Sequence, residues 1–244
     1  MERVLCVIPA RFGSTRLPGK PLEEIAGVPL IVHVYRNALA SGAFDEICVA
    51  TDDERIAEAV RRAGGLAEMT STAHVSGTDR VHEAAQRYEC SHVVNIQGDE
   101  PRIPGGLLRD FSAALKQIDD NYLLTVVSHA TIEDKNNPNV VKAVLDTGSN
   151  ALYFSRSPIP FERETGAPSY RHVGMYGFTM RSLARFCGLD EGVLEHAERL
   201  EQLRALENGM KIRCLVCDFE SIGIDTPQDL ERFRRLVAGN GYGS

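Results

Sequence analysis

Val4-Leu5-Cys6-Val7-Ile8-Pro9-Ala10-Arg11-Phe12-Gly13-Ser14-Thr15-Arg16-Leu17-Pro18-Gly19-Lys20 is the stretch that sets the fold class. Val4 to Ile8 is an almost unbroken apolar run, the pattern of a strand buried on both faces in a parallel sheet. It breaks into a loop carrying Arg11, Arg16 and Lys20, with no Asp or Glu from Arg3 to Lys20. Open α/β sheets bind ligands at the carboxyl ends of their strands. A cationic loop there, in a chain of net charge −7, points to an anion and first of all to a phosphate-rich ligand. A basic surface turn is the plainer alternative.

The rest of the chain fits that strand into an alternating pattern. Pro29 to Ala40 repeats apolar residues at helical spacing and stops at Gly42. Ile47 to Ala50 is a second buried strand, and Thr51-Asp52-Asp53 after it can cap a helix from Glu54 to Ala63. Leu66 to Met69 is a short strand, Thr78 to Tyr88 a helix, and His92 to Ile96 another inner strand. Pro104 suits the first turn of a helix reaching about Ile118. Strand and helix alternating in this way predict an α/β fold: three layers around a mostly parallel, Rossmann-like sheet.

From Leu123 the pattern changes. Leu124 to His129, Val140 to Leu145, Ala151 to Phe154 and Gly174 to Phe178 are strands separated by turn chemistry, which predicts an antiparallel middle region over about 123–180. Glu195 to Asn208 reads as one helix with Leu200, Leu203 and Leu206 inward. Ile212 to Cys217 is a last strand and Thr226 to Val237 a last helix. The whole, 1–244, is expected to be a single domain.

Composition removes several function classes. With 34 acidic against 27 basic residues, the chain has no cationic excess for nucleic acid. No apolar run approaches the roughly 18–20 residues of a membrane helix, so no membrane insertion is expected. The six cysteines lack disulfide-dense spacing, which suits a reducing cytoplasm. Cys214-Leu-Val-Cys217 has CxxC spacing, but on a strand its ends face opposite ways and no second pair exists.

Four stretches carry chemistry. The opening loop is not a P-loop: Gly13 to Gly19 is one residue too long, and Pro21 stands where the metal-binding hydroxyl belongs. Gln97-Gly98-Asp99-Glu100-Pro101 puts a carboxylate at a strand end, where a magnesium ion held by one or two carboxylates and substrate phosphates would sit. Asp99 could instead cap the next turn. In Gly223-Ile224-Asp225-Thr226-Pro227-Gln228-Asp229, Thr226 and Asp229 already supply the helix cap, which leaves Asp225 for a second metal carboxylate or for the helix dipole. His74-Val75-Ser76-Gly77-Thr78-Asp79-Arg80 offers backbone groups that can read a base or hydroxyl, and Ser76 with Asp79 also makes a capping box.

Taken together, IPARFGSTRLPGKPL, ATDD, HVSGTDR, VVNIQGDEP, ALYFSRSPIPF, RHVGMYGF, RLEQLRALENGMKI and GIDTPQDLERFR resemble the 3-deoxy-manno-octulosonate (Kdo) cytidylyltransferases, in order and across nearly the whole chain. The resemblance implies a fold of the nucleotide-diphospho-sugar transferase type. It implies an enzyme that makes CMP-Kdo and pyrophosphate from CTP and Kdo for lipopolysaccharide, in the cytoplasm, as a homodimer, with Mg2+. Carried over residue by residue, Arg11, Ser14, Arg16 and Lys20 would face the triphosphate, and Ser76, Gly77, Thr78, Arg80 and Gln97 the nucleotide. Asp99 and Asp225 would hold magnesium, with Lys20, Arg11 and Asp99 as the catalytic groups. Gln97, Arg156, His172, Tyr176, Glu201 and Gln202 match sugar-side positions, with Arg156 or His172 available to the Kdo carboxylate. The middle region would serve sugar binding and dimerisation. Glu100 fits the form that points to Kdo over its 8-amino relative. Other ulosonic acids, and a non-catalytic nucleotide-sugar binding protein, are the competing readings.

Overall fold

The computed structural model describes residues 2–13, 17–164, 166–219, 223–224 and 226–239. Their contacts cluster into two units, one made of 1–112 with 221–244 and the other of 113–220.

The first unit holds β1 (Val4–Ala10), a hairpin of β2 (Glu24–Ile25) and β3 (Val28–Pro29), α1 (Leu30–Ser41), β4 (Glu46–Thr51), α2 (Glu54–Arg62), β5 (Leu66–Met69), α3 (Gly77–Ala85) and β6 (His92–Ile96). α4 (Gly105–Leu115) leads out of it. Strands β6, β1, β4 and β5 pair in that order, all parallel, with Leu5 opposite both Val93 and Glu46. Every residue of β1 is buried, as its unbroken apolar run requires. Helices cover both faces of the mostly parallel sheet, so the expected α/β class holds. The hairpin β2–β3 and a single 3₁₀ turn at Lys20–Leu22 were not legible in the apolar pattern, being only two or three residues each.

Two local choices shape the ligand end of this unit. Gly19 has φ +73°, a left-handed conformation that glycine adopts freely, and its N–H reaches back 3.1 Å to the Phe12 carbonyl. Gly98 follows β6 so closely beside β1 that a Cβ would stand 3.0 Å from the Pro9 carbonyl oxygen. Glycine is what allows the two strand ends to converge.

The second unit contains β7 (Tyr122–His129), α5 (Ile132–Asn136), β8 (Lys142–Leu145), β9 (Ala151–Ser155), β10 (Tyr170–Thr179), α6 (Met180–Cys187), α7 (Val193–Glu198), α8 (Gln202–Glu207) and β11 (Lys211–Cys217). The expected antiparallel region is present: β7 pairs with β10, β10 with β8, and β8 with β9, all antiparallel. β11 adds to β7 in parallel. The single helix expected over Glu195–Asn208 is two. Arg199 takes a left-handed conformation, φ 55° and ψ 48°, and turns the chain between α7 and α8. The Glu195 carboxylate receives both Nε and Nη2 of Arg204 at 2.7 Å, a buried pair that fastens α7 to α8 across the turn. Leucines on either side keep helical phase, so the break leaves no trace in periodicity.

The last helix, α9 (Pro227–Gly239), belongs to the first unit. Thr226 and Asp229 form the expected reciprocal cap, with Asp229 N–H 3.2 Å from Thr226 Oγ1 and Thr226 N–H 2.9 Å from Asp229 Oδ2. Among the described residues no helix is long and apolar enough to cross a membrane. All six cysteines are free thiols. Burial pushes Cys48 and Cys214 up to about 12, which keeps them protonated and removes them as nucleophiles.

Candidate functional site

The carboxyl ends of β1 and β6, with the amino end of α3, enclose a cleft of about 290 Å³ in the first unit. Arg11, Lys20, Ser76, Gly77, Arg80, Gln97 and Asp99 all line it, so the opening loop, the HVSGTDR stretch and the QGDEP stretch meet in one place. Parallel strands bring their ligand-bearing ends to the same side, which is why residues far apart in sequence converge here.

Lys20 Nζ donates to Asp99 Oδ2 at 2.7 Å, and both side chains are largely covered. The pair draws the cationic loop onto the acidic strand end. Arg11 is exposed at the rim. Phe12 next to it carries the Arg55 guanidinium 3.7 Å over its ring, which anchors the loop against α2. Ser14 and Arg16 lie outside the described residues.

Ser76 caps α3: its Oγ accepts from Asp79 N–H at 3.1 Å and donates to Asp79 Oδ2 at 2.9 Å. The cap uses the side chain and leaves the helix amino end facing the cleft beside Gly77, a place suited to an anion or an acceptor. Thr78 is buried in the first turn, where its Oγ1 accepts from Asn95 Nδ2 at 3.5 Å. Gln97 Nε2 in turn donates to Asn95 Oδ1 at 3.4 Å.

Arg80 is more deeply placed than its motif suggests. It is 3% exposed, with Nη2 2.7 Å from Asp52 Oδ2 and Nη1 2.5 Å from Thr70 Oγ1. Asp53 alone caps α2, through a 3.0 Å bond from Arg55 N–H, and leaves Asp52 to Arg80. His74 is likewise held, its Nε2 2.5 Å from Glu83 Oε2. The Ser71 backbone N–H, above all, holds the Glu83 carboxyl below its usual range. Thr70 and Glu83 have no motif of their own in the sequence, and Asp52, though part of ATDD, is not marked there as a partner of Arg80. Each is found only through its partner in the fold.

Asp99 has the features a metal carboxylate needs: a strand-end position and a partly open side chain in a cleft. Ile224 N–H donates to the Asp99 carbonyl at 3.0 Å, which ties the chain on the amino side of Asp225 to Asp99. Asp225 itself lies outside the described residues. Among the described residues no group of three or more His, Cys, Asp or Glu is gathered for a metal.

Of the sugar-side candidates, Gln97 is in the first unit and Arg156, His172, Tyr176, Glu201 and Gln202 are in the second. His172 on β10 packs against Phe154 at 5.1 Å and Tyr176 at 5.4 Å between ring centres. Its Nε2 is 2.8 Å from Thr125 Oγ1, whose only hydrogen points to the Met175 carbonyl at 2.8 Å. His172 must then be the donor, through Nε2–H. Burial among these rings pushes its pKa down to about 3. A neutral imidazole is no ionic partner for a carboxylate.

Tyr176 Oη donates to Gln202 Oε1 at 3.1 Å. Gln202 is 3% exposed, and its Nε2 is buried with no partner among the described residues. A buried amide donor in that condition costs stability unless a ligand acceptor meets it. Glu201 is half-buried close enough to help raise the Tyr176 hydroxyl, after desolvation as the main cause. Arg156 follows β9; its Nε donates to the Glu198 carbonyl at 2.9 Å and its Nη1 to the Pro138 carbonyl at 3.3 Å.

Comparison with known proteins bears on the chain as a whole. A family model described as "Cytidylyltransferase" matches residues 5–212. A 3-deoxy-manno-octulosonate cytidylyltransferase of Thermodesulfovibrio yellowstonii is 47% identical, over 93% of this chain and 95% of that one. Its counterpart in Geobacter metallireducens is 45% identical, over 94% of this chain and 96% of that one. A solved CMP:2-keto-3-deoxy-manno-octonic acid synthetase complexed with CTP superposes with a TM-score of 0.93 at 40% identity, covering 98% of this chain and 99% of the other.

Proposed function

The chain belongs to the 3-deoxy-manno-octulosonate cytidylyltransferases, and we propose that it is an enzyme transferring the cytidylyl group of CTP to Kdo. The anomeric hydroxyl oxygen of Kdo attacks the α-phosphorus in line. A P–O bond to that oxygen forms, the bond to pyrophosphate breaks, and the hydroxyl proton is lost. The products are CMP-Kdo and pyrophosphate, supplied to lipopolysaccharide assembly. The observation that carries the reading is the meeting of Arg11, Lys20, Ser76 and Asp99 in one cleft at the ends of parallel strands.

Such a transfer asks for positioning and charge neutralisation more than for covalent help. Lys20 and Arg11 neutralise the phosphates. The amino end of α3 and Gln97 orient the nucleotide. Asp99, with Asp225, would hold Mg2+, which when bound shields the triphosphate and acidifies a hydroxyl beside it. Arg156 meets the Kdo carboxylate, and Tyr176, Gln202 and neutral His172 order the sugar's hydroxyl groups. Exposed Ile132, Leu152 and Phe161 support a homodimer through the second unit. Six free cysteines suit the cytoplasm.

The test is pyrophosphate release from CTP and Mg2+ with a panel of Kdo, 8-amino-Kdo and other ulosonic acids. Turnover with Kdo preferred is expected, in keeping with Glu100 in the QGDEP stretch. No release with any sugar acid would reduce the chain to a nucleotide-sugar binder.

A further inference from the structure

Arg156 is gripped more completely than a ligand-seeking surface arginine needs to be. The Glu198 carboxylate accepts the Ser155 hydroxyl at 2.5 Å on one oxygen and the Arg156 backbone N–H at 2.9 Å on the other. The carbonyl of the same Glu198 takes Arg156 Nε. Ser155 Oγ also receives Ser157 N–H at 3.0 Å, so the bend after β9 is tied on both sides. From the opposite side comes Lys142, directly across from Ser155 in the β8–β9 ladder and fully buried. Its ammonium donates to the carbonyls of Asn137 at 2.9 Å, Val140 at 2.8 Å and Arg156. A buried lysine spending its three hydrogens on three carbonyls fixes those carbonyls relative to one another.

The guanidinium is left with one useful edge. Of its five N–H donors, Nε–H and one of Nη1 are taken by the Glu198 and Pro138 carbonyls. Both hydrogens of Nη2 and the second of Nη1 have no partner among the described residues. That is an end-on fork, the geometry that receives both oxygens of a carboxylate. The geometry points to Glu198 as a positioning residue for sugar-acid binding, aided by Lys142: it touches no substrate itself but fixes the direction of the Arg156 fork. The proposal rests on the reading that Arg156 meets the carboxylate of the sugar acid.

A double-mutant cycle on the full chain tests it, with Michaelis constants measured separately for Kdo and CTP. Arg156→Ala tests the underlying reading. It is expected to raise the KM for Kdo and leave that for CTP within about twofold; an unchanged KM for Kdo overturns both the reading and the proposal. Glu198→Gln keeps one acceptor and loses the other. It is expected to raise the KM for Kdo roughly tenfold, the scale of a misplaced orienting group, again sparing CTP. In the Arg156→Ala background the same change should have no further effect, because a group acting through another is non-additive with it. If Glu198→Gln leaves the KM for Kdo unchanged, or multiplies it by the same factor in both backgrounds, the positioning role is wrong even though Arg156 binds the sugar. Ser155→Ala, which removes only the hydroxyl from the clamp, runs through the same cycle and decides the matter should Glu198→Gln fail to fold.

Discussion

Lys20 and Asp99 are 79 positions apart in the chain, and Lys20 Nζ stands 2.7 Å from Asp99 Oδ2. One ammonium therefore occupies the carboxylate that a divalent cation would use, while the nucleotide's phosphates call for the same ammonium. On the proposed reading, metal and lysine would compete for Asp99 until a triphosphate drew the lysine away. Lys20→Met should then tighten Mn2+ or Mg2+ binding to the nucleotide-free protein by about tenfold, a modest share of the Coulomb energy at this range. Pyrophosphate release should fall by roughly 10²–10³ for loss of a charge-stabilising group. Titration calorimetry without nucleotide checks the first outcome; weaker metal binding in the variant would show that Lys20 supports the site instead.

Gly98 sets how closely β6 approaches β1. A methyl group there would meet the Pro9 carbonyl oxygen at 3.0 Å, a backbone atom that cannot swing aside, and Ile31 Cδ1 at 3.4 Å. Gly98→Ala should cost about 1–3 kcal/mol as an overpacking change. At this chain length that lowers Tm by about 2–4 °C per kcal/mol. Thermal unfolding reads the stability, and a weakened affinity for CTP should accompany it because the cleft floor is displaced.

Arg80 shows a different dependence. Its guanidinium is enclosed, with Asp52 as its charged partner 2.7 Å away. Asp52→Ala would strand a buried cation, and breaking such a pair from one side costs about 3–5 kcal/mol. Denaturant unfolding should show a midpoint shift of that size with an unchanged m-value. A loss under about 1 kcal/mol would mean that water replaces Asp52 without difficulty.

His172 gives a pH signature. Its pKa is lowered to about 3 by burial, against about 6.5 in an unfolded chain. Between these values the unfolded state binds a proton that the folded state refuses, so stability rises with pH across that window. The contribution is full above about pH 6.5 and fades as pH falls toward 3, with a slope of up to about 1.4 kcal/mol per pH unit. His172→Gln can still donate to Thr125 without titrating. Chemical denaturation from pH 4 to 7 should show a flatter profile in the variant, and an identical slope would mean that the ring is solvated.

The sequence made the first unit legible because its information there is local. β1 is an apolar run ending in a basic loop, β5 begins and ends where its residues predict, and Ser76, Thr226 and Asp53 cap the helices they precede. Lys20 stood out as one of three cations in a loop without an acid, and Asp99 as a carboxylate placed straight after an inner strand. What stayed hidden is set by tertiary contact. Nothing in Thr51-Asp52-Asp53 says which aspartate turns to the helix and which to Arg80. Lys142 lies within an ordinary strand sequence, and only the fold shows its ammonium among three carbonyls. His172 was narrowed in the same way: its Nε2–H donor follows from Thr125, 47 positions away on another strand, and its neutral form from burial, neither of which its own motif announces.

The left-handed Arg199 between α7 and α8 has a consequence for how this enzyme class can change. On one continuous helix, residues 198 and 202 would sit a turn apart on a single face and answer to a single neighbour. The break, at an intrinsic cost of about 1–2 kcal/mol for a non-glycine residue, sets them free of each other. Glu198 serves Arg156 and Gln202 serves Tyr176. Two degrees of evolutionary freedom replace one: α8 can drift, and Gln202 with it, while the hold of Glu198 on Arg156 stays in register.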